Sequence, residues 1–72
     1  MKVIIYDWEV GMHKLPLAKF LRDDYGFTDA MNRVTGLIQK GKKEICFEIS
    51  QETKEEVEAK LTEFKVLYRI IE

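Results

Sequence analysis

Few residues in this chain have side chains suited to catalysis, and they are scattered. His13 is the only histidine, with Lys14 beside it and Glu9 four residues earlier, while the only cysteine, Cys46, lies far along the chain. A metal ion needs three or four ligands, and a general base needs a partner to orient it. His13 therefore reads as a surface loop residue. Cys46 sits in the alternating run Glu44-Ile45-Cys46-Phe47-Glu48-Ile49, without the basic or helix-terminal setting that ionises a thiol. It reads as a structural thiol, and a lone cysteine fits a reducing compartment. Asp7 and Glu9 fall on one strand face, about 7 Å apart, and Glu44 with Glu48 repeats the pattern. Neither pair comes with a nucleophile or cation, so both read as solvated, and neighbouring strands would make the open sheet face acidic. Gly26, Gly36 and Gly41 are too dispersed to cradle a phosphate. No catalytic residue, metal site or cofactor is expected, and the chain does not read as an enzyme.

The cations are more suggestive. Lys19, Arg22 and Arg33 could share a basic surface across two helices, although Lys19 and Asp23 are spaced i, i+4 for an ion pair. A second cluster, Lys40-Gly41-Lys42-Lys43, reads as a charged turn. Twelve basic residues against thirteen acidic ones leave a net charge of −1. Nucleic-acid binders usually carry a basic surplus, so the balance argues against that class. No apolar run approaches the ~20 residues of a membrane span, and the N-terminus turns acidic too soon for a secretory signal. A cytoplasmic protein is expected.

The elements that must position these residues follow from periodicity. Val3 to Val10 alternates as a strand, with Ile4, Tyr6, Trp8 and Val10 forming the more apolar face, expected to look at the core. Pro16 suits a first helical turn, Leu17, Phe20 and Leu21 form a stripe, and Gly26 is placed as a left-handed cap. A second helix, N-capped by Thr28, carries Ala30, Met31, Val34, Leu37 and Ile38 and stops at Gly41. Ile45, Phe47 and Ile49 give the second strand a buried face. Ser50, or Thr53 with Glu56, starts a third helix striped by Val57, Leu61 and Phe64 and flanked by the ion pairs Lys54–Glu58 and Glu56–Lys60. A last strand runs over about residues 65–71.

Seventy-two residues suffice for one domain, spanning 1–72. The order βααβαβ predicts an α+β fold, a three-stranded antiparallel sheet with three helices on one face.

Lys14-Leu15-Pro16-Leu17-Ala18-Lys19-Phe20-Leu21-Arg22 followed by Gly26 resembles the start of the C-terminal domain of the bacterial ribosomal stalk protein. Ala30 and Val34 match its second helix if two residues are dropped from the connection, and the element order is that family's. The resemblance implies a face recruiting GTPase translation factors, here Lys14, Lys19 and Arg22. Asp23 and Asp24 dilute that face. The ClpS-type protease adaptor shares the fold, and Lys43-Glu44-Ile45-Cys46 resembles one of its strands. Asp7-Trp8-Glu9 and Gln39 stand where that family has its degron-binding residues, so this second resemblance implies the fold and not the activity.

The expected function is a protein-binding adaptor that docks through Lys14, Lys19, Arg22 and Arg33, with a translation factor or other large machine as partner. The alternatives are a nucleic-acid-binding regulator using residues 40–43 and a homodimeric structural protein. Oligomeric state is expected to be monomer or weak homodimer.

Overall fold

The computed structural model describes residues 1–39 and 43–72. Strand β1 spans Lys2–Trp8, helix α1 Lys14–Tyr25, helix α2 Ala30–Ile38 and strand β2 Ile45–Glu48. A 3-10 turn, Gln51–Thr53, leads into helix α3 over Lys54–Glu63, and strand β3 covers Val66–Ile71. The sheet is antiparallel in the order β2-β1-β3, so the first strand is central. This is the expected βααβαβ, α+β arrangement.

Local chemistry accounts for the boundaries. Pro16 sits in the first turn of α1, where a missing N–H costs nothing. Gly26 ends the helix at φ 70°, its N–H donating to the Arg22 carbonyl at 3.1 Å while the Phe27 N–H reaches the Leu21 carbonyl at 3.2 Å. These bonds satisfy carbonyls that α1 itself leaves open. Asp29, not Thr28, is the N-cap of α2, and its carboxylate accepts from Arg33 instead of capping the backbone. Thr53 is the N-cap of α3, one turn after Ser50, and its hydroxyl donates to the Ser50 carbonyl at 3.1 Å. The expected stop at Gly41 lies outside the described residues; α2 itself ends at Ile38.

The expected inward face of β1 is reversed. Val3 and Ile5 are fully buried, paired with Phe47 and Ile45 of β2, whereas Ile4 and Tyr6 lie on the opposite side of the sheet. A bulge between Ile5 and Asp7 then restores Trp8 to the core side opposite Val66. One extra residue in the strand breaks the alternation, so a strict period of two misassigns part of it. Leu17, Leu21, Val34, Leu37, Ile45 and Leu61 complete the fully buried centre. Phe20, Tyr25, Phe27, Phe47 and Phe64 cluster around it, with Tyr25 and Phe47 ring centroids 4.5 Å apart.

The open face of the sheet consequently carries an apolar patch over β1 and β3, with Lys2, Glu48 and Arg69 around it. Ile4 is only 8% exposed there, and Tyr6, Leu67 and Ile71 surround it. Arg69 lays its guanidinium 5.5 Å from the Tyr6 ring centroid. The Asp7 carboxylate accepts from the Trp8 N–H at 2.8 Å.

Candidate functional site

A groove lies between α1 and α2 in the helical layer. Leu15, Ala18, Lys19 and Arg22 form one wall, and Ala30 and Met31 the other, enclosing about 380 Å³. Leu15 is 70% exposed and Met31 44%. Such side chains are poor ornaments for a small domain that needs its apolar residues inside. Leu15 stands about 200° around the helix from Leu17, so burying Leu17 turns Leu15 outward. Small residues at Ala18 and Ala30 let the two helices approach and leave the groove floor shallow.

The four cations expected to act together do not line one depression. Lys19 and Arg22 line the groove. Lys14 lies instead beside a separate depression formed with Trp8, Gly11, Met12 and Ile38. Arg33 faces another, with Asp29, Lys43 and Glu44. Its guanidinium pairs with Asp29 at 3.2 Å and rests 5.0 Å from the Phe27 ring centroid. The expected Lys19–Asp23 pair is replaced by Arg22–Asp23 at 3.0 Å. Lys14 and Lys19 make no ion pair among the described residues, so Lys19 is the unpaired cation at the groove. Lys60 also takes a different partner, bridging Asp24 at 3.8 Å as well as the expected Glu56 at 3.9 Å. Glu58 accepts from the Tyr68 hydroxyl at 3.3 Å rather than pairing with Lys54.

Periodicity and charge identified Lys19 and Arg22, but the apolar half of the groove was missed. The available signal was Leu15 itself, an aliphatic residue outside the Leu17–Phe20–Leu21 stripe. Met31 falls on the apolar stripe expected for α2, yet it turns outward beside Arg22.

On the other side of α1, Asp23, Asp24, Glu48 and Glu56 rim an open depression floored by Phe20 and Tyr25. Burial raises the Tyr25 pKa above its ordinary 10.0, and the carboxylates of Asp24 and Glu56 add to the effect by opposing a phenolate. Burial likewise raises Tyr68, reinforced by the charge of Glu58. His13 is exposed at the N-cap of α1, where its backbone N–H donates to the Phe64 carbonyl at 3.1 Å. Cys46 is half-buried on the open sheet face. Among the described residues no group of three His, Cys, Asp or Glu side chains is placed to hold a metal ion. Nor is any helix among them long and apolar enough to cross a membrane. Of the basic run 40–43, only Lys43 lies within the described residues; its N–H donates to the Gly36 carbonyl at 3.1 Å.

No family model matches the chain, and neither a characterised protein nor a solved structure matches it.

Proposed function

We propose that the chain is a non-enzymatic protein-binding module that docks through the groove between α1 and α2. The observation that supports this most directly is the exposed pair Leu15 and Met31 with Lys19 and Arg22 at its rim. An apolar floor with a cationic rim suits a partner that inserts an aliphatic or aromatic side chain flanked by carboxylates. Apolar contact supplies the affinity, and the charges orient the encounter. The resemblance of the α1 sequence to the ribosomal stalk domain makes a GTPase translation factor the first partner class to test. Lys14 and Arg33 lie outside this groove, so they serve as comparison sites.

Affinity capture from a bacterial lysate, with wild type and with Leu15→Asp/Lys19→Glu immobilised in parallel, tests the assignment. The partner recovered by wild type is then titrated against both proteins. The expected result is a loss of at least about tenfold in affinity for the double variant, with wild-type-like binding by Lys14→Ala and Arg33→Ala. Equal affinity for wild type and the groove variant removes the groove as the docking site.

A further inference from the structure

The end of β1 carries a hydrogen-bond donor with nothing to donate to. Trp8, the only tryptophan, packs against the core and pairs across the sheet with Val66. Its indole N–H has essentially no exposed surface and no acceptor. An indole nitrogen donates and cannot accept, so only an incoming acceptor satisfies it. Buried polar groups are nearly always paired, which makes this one a candidate contact for a ligand.

Trp8 also lines a depression of about 290 Å³, together with Gly11, Met12, Lys14 and Ile38. Met12 and Ile38, like Trp8, are partly buried against the core, so three of the walls are apolar. Among the described residues no carboxylate lines this depression. Lys14 is exposed and makes no ion pair among those residues. A second unpaired ammonium stands close by. Lys65, just after α3, holds φ 61°, a conformation that favours glycine. Its Nζ comes within 3.5 Å of where a Cβ on Gly11 would stand. Helix α1 begins at Lys14 with no side-chain cap from His13 and no acid in its first turn, so its positive end is uncompensated.

We propose that this depression binds a small apolar carboxylate. Its hydrocarbon part lies against Trp8, Met12 and Ile38, and its oxygens take the Trp8 indole N–H and the Lys14 ammonium. Charge complementarity selects an anion, and a charge-assisted hydrogen bond gives it orientation. The apolar walls favour a short hydrocarbon chain over inorganic phosphate. A volume at the small end of the range for ligand pockets leaves no room for a nucleotide. The covered indole nitrogen is reached when a neighbour moves, and Met12, unbranched and flexible, is the wall best able to do so. No residue is shared with the α1–α2 groove, so this site is independent of the docking reading.

Titration with hexanoate, followed in proton–nitrogen correlation NMR spectra, tests the site, because the single indole cross-peak belongs to Trp8. The expected result is a saturable downfield shift of that peak, absent with hexan-1-ol, hexylammonium or phosphate at the same concentration. Lys14→Gln should weaken hexanoate at least about fivefold, and Lys14→Arg, which keeps the charge, should restore most of the affinity. Lys65→Gly, which suits the backbone there, should weaken it less, by about threefold. An acetylated glycyl-leucine with a free C-terminus is titrated in parallel. Tighter binding than hexanoate assigns the carboxylate to a peptide chain end, and weaker binding to a free acid. An indole peak that does not move overturns the proposal. So does equal binding of hexan-1-ol, a shift produced by phosphate alone, or equal affinity of wild type and Lys14→Gln for hexanoate.

Discussion

Individual side chains here are governed by which neighbour is nearest after folding, and spacing along a helix is a weak guide to that. Lys19 and Asp23 have the i, i+4 separation of a helical ion pair, yet Asp23 is taken by the adjacent Arg22 at 3.0 Å. Exposed pairs contribute only about 0–1 kcal/mol, so modest differences in geometry decide between candidate partners. The result matters for the groove, because it leaves Lys19 as an unpaired cation among the described residues. Tyr25 is one of two tyrosines whose ionisation is opposed by the fold. Its hydroxyl ionises less readily in the folded chain than in the unfolded one, which ionises near 10.0. A raised folded-state value stabilises the fold fully below the unfolded value, and that contribution disappears as pH rises through the folded value. Urea midpoints should therefore fall between about pH 9 and pH 11, and Tyr25→Phe should reduce the fall relative to wild type. An unchanged slope in that variant would assign the alkaline loss to other groups.

At the scale of elements, the ends of helices were more legible than the faces of strands. Gly26 announced itself because glycine is the residue that tolerates φ 70° without a Cβ clash. Gly26→Ala should cost about 1 kcal/mol even though open space surrounds the position. Gly36, inside α2, should behave in the opposite sense. A Cβ there meets the Lys43 side chain at 3.6 Å, an ordinary contact, so Gly36→Ala should gain about 0.5–1 kcal/mol from helix propensity. Chemical denaturation of the two variants measures both signs. Strand β1 was harder because both of its faces are apolar. Counting hydrophobic residues favoured Ile4, Tyr6 and Trp8, while the sheet buries Val3 and Ile5 and shifts Trp8 across a bulge. A bulge is a property of two paired strands, and one strand's sequence does not display it.

For the whole molecule, stability rests on a core with little to spare. Leu61→Ala removes a fully buried side chain and should cost about 2–5 kcal/mol. A domain of this size holds roughly 3–5 kcal/mol in total, so the variant should be largely unfolded by circular dichroism at 25 °C. Leu15→Ala should stay within about 0.5 kcal/mol of wild type by the same measurement, because Leu15 packs little of its surface. The amino-acid sequence by itself determined the element order, the α+β class, the stripes of α1 and α3, that of α2 apart from Met31, and the inward face of β2. Those features follow from local periodicity and turn chemistry, which act over a few residues. Only the tertiary structure decided that the helices leave Leu15 and Met31 facing one another across a groove. It also separated Lys14 and Arg33 from that groove and gathered Ile4, Tyr6, Leu67 and Ile71 into an apolar patch on the open sheet face. Each of these outcomes depends on how distant segments pack together, and the energies that select among the alternatives arise only once those segments meet.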